Sequence, residues 1–315
     1  MKKNKAFSLV ELSVVILIIG ILIAGITQSG RLIRQIKLST ARSVTASSDV
    51  ASIRDVTAWF EATTEGIFTD SNDKTDVENN ATLKAWRDVN PQKSVGDKPI
   101  LTVGSAGTEP KYISNGINGI PSVYFDGGDV ISSTDAPTMP LISLDKTYSM
   151  FAVFRSDLSK ASVPSIITQI GDPTDNAAQK FVSIGFISAS GNGNPGFITG
   201  ADSDTSWVKN TKISDQTDYI VGAVVDFTSP STVGPTSVQL YVNSLTPVSD
   251  IATKASSVTT EVLANKFSIG ANVKSTTSQN FTGMISEVII FDRKLKDEEA
   301  QSVMKYLRKK YNINS

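Results

Sequence analysis

The chain has 315 residues, 40% of them hydrophobic and 19% charged, which is enough apolar material for a buried core and unlike a disordered segment. Its 30 basic and 31 acidic residues leave a formal charge of −1, so no nucleic-acid partner is expected. Cysteine and histidine are both absent, which excludes disulfides, thiolate nucleophiles, Ser-His-Asp triads and histidine-ligated zinc; catalysis would have to run on carboxylates, Lys, Tyr or an oxygen-ligated metal.

The first predicted element is a membrane helix. Leu12 to Gly30 is an uncharged run that as a helix spans about 28 Å, close to the hydrocarbon thickness of a bilayer. Lys2, Lys3 and Lys5 precede it, and Arg31, Arg34 and Lys37 follow. A secretory signal peptide and a signal anchor both fit this outline, with "AGITQSG" (24–30) as an unremarkable cleavage region for the former. Glu11 fits the signal-peptide reading poorly. A carboxylate in a membrane helix costs about 2.5–3.5 kcal/mol at mid-bilayer, less near an interface, and so asks for a partner.

The stretch "KAFSLVELSVVILIIGILIAG" (5–25) resembles the class III leader and first helix of type IV pilins and pseudopilins. That resemblance implies a leader of residues 1–6, cleavage between Ala6 and Phe7 by a prepilin peptidase, N-methylation of Phe7, and retention of the helix in the inner membrane. It also implies that Glu11 pairs with the Phe7 amine of a neighbouring pilin subunit during assembly, a paired charge in place of an orphan. One departure is visible: the family usually carries Gly where Ala6 stands. Loss of residues 1–6 removes three lysines and moves the formal charge from −1 to −4.

Past the membrane, Ile33, Ile36, Thr40, Val44, Ser47 and Ala51 recur at three- and four-residue spacing. The stripe predicts one rod over residues 7–55, roughly 73 Å long. Gly20 and Gly25 weaken it locally, and Gln28 stands near the place where many pilins carry a proline.

From "DVTAWFEA" (55–62) onward the helical period stops. Strand-like runs follow: "SVYF" (122–125), "YSMFAVF" (148–154), "SIITQI" (165–170), "FVSIGFI" (181–187), "YIVGAVVDF" (219–227), "SVQLYV" (237–242), "FSIGA" (267–271) and "MISEVIIF" (284–291). Short strands without intervening helices predict an antiparallel β-sandwich over 56–315. A closing helix is predicted with Asp297 as its cap, acids in its first turn and a basic last turn; Ala300, Val303, Met304, Leu307 and Tyr311 form its buried stripe.

"TAWFEAT" (57–63), "LKAWRDVN" (83–90), "PKYISNGINGIPSVYFDGGDVI" (110–131) and "FTGMISEVIIFDRKLKDEEAQSVMKYLRKKYNI" (281–313) resemble LamG-like, concanavalin A-like jelly-roll domains of bacterial surface proteins. The resemblance implies a jelly roll but no single function, because that sandwich hosts sugar binders, protein binders, hydrolases and spacers alike.

An enzyme on this scaffold would place paired acids on one strand, as in E-x-D-x-x-E, and no such set is present. Glu287 reads as a lone, solvated or capping acid, and no catalytic residue is expected. Calcium would need oxygen ligands; Asp126 and Asp129 in "FDGGD" are the candidates, against an ordinary Asp-Gly turn. "DPTDN" (172–176) and "DSDTS" (202–206) read as turns in the same way. Trp207 is the candidate sugar platform, while Trp59 and Trp86 read as core. The expectation is a pilin-like subunit, minor or at the tip, that displays the sandwich for adhesion to a glycan or a surface protein. Before assembly it sits in the bacterial inner membrane; afterwards the sandwich lies in the periplasm or outside the cell. The rivals are a structural pseudopilin of a type II secretion or DNA-uptake machine and a membrane-anchored glycan-active enzyme.

Overall fold

A computed structural model describes residues 9–133, 142–143, 147–160, 165–171, 181–188, 193–199, 213–226, 237–248, 263–264, 266–272 and 280–314. Helix α1 (Leu9–Ala46) is proline-free and Ile/Leu-rich, and its 38 residues make a rod of about 57 Å. It stops short of the predicted end. Ser and Thr side chains bond back onto the backbone there, Thr45 Oγ1 to the Ala41 carbonyl at 3.0 Å and Ser47 Oγ to that of Ser43 at 2.8 Å. Such bonds favour leaving the helix, and a 3₁₀ turn (Asp49–Ser52) then leads through Asp55, at φ 67°, into the first strand.

The strands are β1 (Val56–Glu61), β2 (Phe68–Asp70), β3 (Leu83–Arg87), β4 (Ile100–Thr102), β5 (Lys111–Ile113), β6 (Ser122–Asp126), β7 (Ile131–Ser133), β8 (Ile142–Ser143), β9 (Tyr148–Ser156), β10 (Ser165–Gly171), β11 (Phe181–Ser188), β12 (Gly193–Thr199), β13 (Asp218–Asp226), β14 (Ser237–Val242), β15 (Leu263–Ala264), β16 (Lys266–Ile269) and β17 (Thr282–Phe291). They form two antiparallel sheets and a short β8–β15 pair. One sheet runs β14-β13-β9-β17, and the far edge of β17 is shared end to end, its first half pairing with β6 and its second with β1. The other runs β12-β11-β10-β16-β7-β4-β3-β2. Helix α2 (Asp297–Tyr311) closes the chain.

Between the sheets lies one core, with Phe60, Trp86, Phe125, Phe154, Phe267 and Phe281 fully buried. The outer face of the β9–β17 sheet is buried too, under α2 and the foot of α1, through Trp59, Phe151, Tyr241, Ile289, Phe291 and Leu307. Two buried faces explain why β9, β13 and β17 read as near-continuous apolar runs. Gly283, at φ 140°, lets β17 pass the β9 edge: a Cβ there would lie 2.1 Å from the Arg155 carbonyl oxygen.

Three local expectations are corrected. The cap of α2 is Lys296, whose N–H donates to Glu299 Oε2 at 2.9 Å, and Asp297 is already helical. The docked face of α1 is Ala41 and Thr45, followed by Val50 and Ile53, whereas Ile33 and Ile36 stay 52% and 55% exposed. Of the expected stripe, Val44 and Ala51 do pack on this face, partly buried, while Ile33 and Ile36 lie beyond the contact. Finally, α1 ends at Ala46 and is not continuous to residue 55.

Candidate functional site

Two regions have features beyond those of a packed sandwich. The first is the protruding part of α1. Ala6 and Phe7 lie outside the described residues; Glu11 stands on the exposed surface of the first turn of α1. Around it Leu9, Val10 and Leu12 are 84%, 68% and 57% exposed, and the most apolar window of this helix, of mean hydropathy 2.9, buries nothing against the sandwich. A helix apolar on all sides and covered by none of the described residues calls for a bilayer or neighbouring helices around it.

The second region lies where α1, β1, β17 and α2 meet. Glu61 and Glu287 are direct partners across β1 and β17 and face outward from the main core, toward α2. Two adjacent carboxylates repel, and here both are fully buried. Lys310 of α2 reconciles them: its ammonium donates to Glu61 Oε2 at 2.7 Å, Glu287 Oε2 at 2.8 Å and the Tyr306 hydroxyl at 3.2 Å. Glu287 also accepts from Trp59 Nε1 and the Tyr306 hydroxyl, both at 2.7 Å, and from the Tyr311 hydroxyl at 2.9 Å. Glu61 accepts from the Thr63 N–H at 2.8 Å, the Thr63 hydroxyl, and the Thr64 N–H at 2.7 Å. The Lys310 ammonium lies 5.7 and 5.4 Å from the ring centroids of Tyr306 and Tyr311.

Burial would raise the Glu61 carboxyl, but the Lys310 charge and the hydrogen bonds from Lys310, Thr63 and Thr64 outweigh it and hold the group at about 2. Burial would lower Lys310, yet Glu287 and Glu61 together push it above its ordinary value. Burial first, and then the Glu287 charge, drive Tyr306 and Tyr311 well upward, so both phenols stay protonated donors. The cluster is a closed ion triad with satisfied hydrogen bonds and no route for a substrate, which makes it an anchor.

This anchor reaches the stem. Thr45 of α1 lies 3.2 Å from the Tyr306 hydroxyl. Arg42 donates from Nε to the Thr63 carbonyl at 2.7 Å and from Nη1 to Glu65 at 2.5 Å, and Lys37 donates to the Asn118 carbonyl at 3.1 Å. Asn118 in turn donates to the Tyr311 carbonyl at 2.7 Å. The helix is thus tied to the sandwich at three successive points.

Glu287 is therefore neither solvated nor a cap; its place opposite Glu61 comes from strand register, which a linear reading does not reveal. A signal for Lys310 did exist, because it falls on the α2 stripe with Val303, Tyr306 and Leu307, where a cation needs a buried acid.

Of the candidate ligand residues, Asp126 and Asp129 come together in a turn. Asp129 Oδ2 accepts the Asp126 N–H at 2.8 Å, and Asp126 Oδ1 accepts the Gly128 N–H at 2.8 Å, with Gly127 at φ 97°. Burial pushes the Asp129 carboxyl up to about 7, against the Asp126 N–H that favours its anion. Among the described residues no group of three or more acids is placed to hold a metal. Trp207, Asp172, Asp175, Asp202 and Asp204 lie outside the described residues. Trp59 and Trp86 are core, 2% and 0% exposed.

Residues 1–27 match the prokaryotic N-terminal methylation motif, the type IV prepilin signature. A search of curated protein sequences returns no match. Among solved structures, domain 4 of an extracellular GH43 arabinanase from Geobacillus stearothermophilus aligns at 16% identity over 79% of this chain and 98% of its own, with TM-score 0.48. Trypanosoma rangeli sialidase aligns at 12% identity over 82% of this chain but only 33% of its own, with TM-score 0.44. The binding domain of Paraclostridial mosquitocidal protein 1 aligns at 10% over 81% and 52%, with TM-score 0.48. No role passes from these proteins to this chain.

Proposed function

We propose that the protein is a type IV pilin-like subunit that displays its sandwich for adhesion. A prepilin peptidase removes residues 1–6 and Phe7 becomes the methylated terminus; the helix over Leu12 to Gly30 holds the chain in the inner membrane and then packs it among other pilin subunits. Residues 56–315 are the displayed head, at the tip or among minor subunits, because a head this large crowds a thin fibre. Glu11 meets the Phe7 amine of a neighbour, so a carboxylate costly in lipid becomes one half of an ion pair.

The observation that supports this reading best is the methylation motif over residues 1–27 continuing into a helix whose apolar N-terminal part packs on none of the described sandwich. A hydrolase is the weaker reading. Glu61 and Glu287, the acids that strand register brings side by side, are sealed from solvent and bound to the shared cation Lys310. Mass analysis of the mature chain tests the proposal: its first residue is expected to be Phe7 carrying one methyl group. An intact Met1, or a cut within residues 24–30, overturns it.

A further inference from the structure

Beside the anchor opens a cleft of about 460 Å³, within the range of small-ligand sites. It forms where both sheets end, at β2 in one and β5 in the other, and α1 supplies one wall. Arg42 is pinned there by its bonds to the Thr63 carbonyl and Glu65, which use two of its five N–H donors. Tyr112 is half-buried and backed by Phe68, with ring centroids 5.4 Å apart. Its hydroxyl and the carboxylate of exposed Asp76 make no hydrogen bond or ion pair with any described residue, and Thr64 and Thr75 add hydroxyls to the lining. A second cleft of about 670 Å³, walled by the loop that carries Asn72, Glu78 and Asn79, shares Thr75 and Asp76 with the first. The first cleft thus forms a polar groove at the foot of the stem, with the second on the far side of Thr75 and Asp76.

We infer that this groove binds a neutral oligosaccharide, seated on Tyr112 and held through its hydroxyls by Asp76 and Arg42. A fixed aromatic ring gives the apolar C–H face of a sugar a surface to stack on. A free carboxylate accepts two hydrogen bonds from adjacent hydroxyls, and a pinned guanidinium donates in fixed directions. Arg42, Glu65 and Asp76 leave the first cleft one negative charge in excess, which disfavours sialic and uronic acids. The second cleft beside it leaves room for further sugars, which favours a short chain over a monosaccharide. Because Arg42 belongs to the stem, the site needs helix and sandwich together.

This inference rests on the adhesion reading and gives it a location. The test uses the full chain in a detergent without a sugar headgroup, on an array of neutral and acidic oligosaccharides with and without EDTA. Wild type is expected to bind a neutral oligosaccharide in both conditions. Asp76→Asn, an exposed change, and Tyr112→Phe, which keeps the ring packing, should each weaken binding about tenfold, and Tyr112→Ala should abolish it. Neutral-sugar binding unaffected by these variants, or binding of acidic glycans alone, overturns the site while adhesion stands. A wild-type chain that binds no oligosaccharide removes both the site and the glycan form of adhesion.

Discussion

Lys310→Met is the sharpest test of the anchor. The substitution keeps the length and packing of the side chain but leaves Glu61 and Glu287 side by side, fully buried, without their cation. Breaking a buried ion pair by removing one partner costs about 3–5 kcal/mol. For a head of this size each kcal/mol shifts Tm by about 2–4 °C, so a fall of roughly 10 °C is expected. Near-ultraviolet circular dichroism of the full chain in detergent reads the transition, since Trp59 and Tyr306 stand edge to face at 5.9 Å within the anchor. Because Thr45 reaches the anchor through Tyr306, amide exchange in residues 38–46 should quicken in the same variant. Changing Glu61 and Glu287 to Gln together with Lys310→Met should recover most of the loss, because no buried charge is then left unpaired. A loss below about 1 kcal/mol in Lys310→Met, or no recovery in the triple variant, refutes the reasoning.

The same anchor sets a pH window. Glu61 falls from an ordinary value of 4.5 to about 2 on folding, so its contribution is present above pH 4.5 and lost as pH drops toward 2. Its size is of order 3 kcal/mol. Lys310 is shifted upward from 10.5, so its contribution is present below that pH and lost as the pH rises further. Acid unfolding that ignores Glu61→Gln would show that the carboxylate is not held as an anion.

Three further outcomes follow from named positions. Glu11→Ala should insert in membranes normally while incorporation into filaments, measured by shearing and immunoblotting, drops about tenfold or more, the equivalent of one lost ion pair of about 1.4 kcal/mol; normal incorporation counts against the pairing. Asp129 carries a folded value of about 7 against an ordinary 3.8, so its ionisation weighs on the fold as pH rises through 7. Asp129→Asn, which still accepts the Asp126 N–H, should stabilise by about 1 kcal/mol at pH 8, after discounting for solvent, and by nothing at pH 4; a calcium-induced rise in wild-type Tm that this variant abolishes would overturn the turn reading. Gly283→Ala should cost about 3 kcal/mol or more in thermal unfolding, since both the φ of 140° and the Arg155 carbonyl oppose a Cβ, and a neutral result would mean that β17 passes β9 differently.

What could be read from the linear chain depended on how locally each feature is encoded. A 19-residue apolar run with an acid at its head, and strands such as "YSMFAVF" and "MISEVIIF", announce themselves, because burial on both faces leaves a continuous apolar string. The short strands β2, β4, β5 and β7 do not, since three residues carry no period and their pairing comes from neighbours far along the chain. The anchor is the extreme case. Glu61, Glu287 and Lys310 lie more than two hundred residues apart at their widest; the α2 stripe marks Lys310 as buried, but Glu61 and Glu287 each look like a surface charge, and their meeting depends on a strand register that only the folded sandwich provides. The docked face of α1 was legible only in part: Val44 and Ala51 pack on it, but Ala41 and Thr45 are too small to stand out in a hydrophobic pattern, yet small side chains let the stem approach Tyr306. The stem thus reaches β1 and β17 through Thr45, Tyr306 and the buried ion triad, and the Lys310 variants test that link.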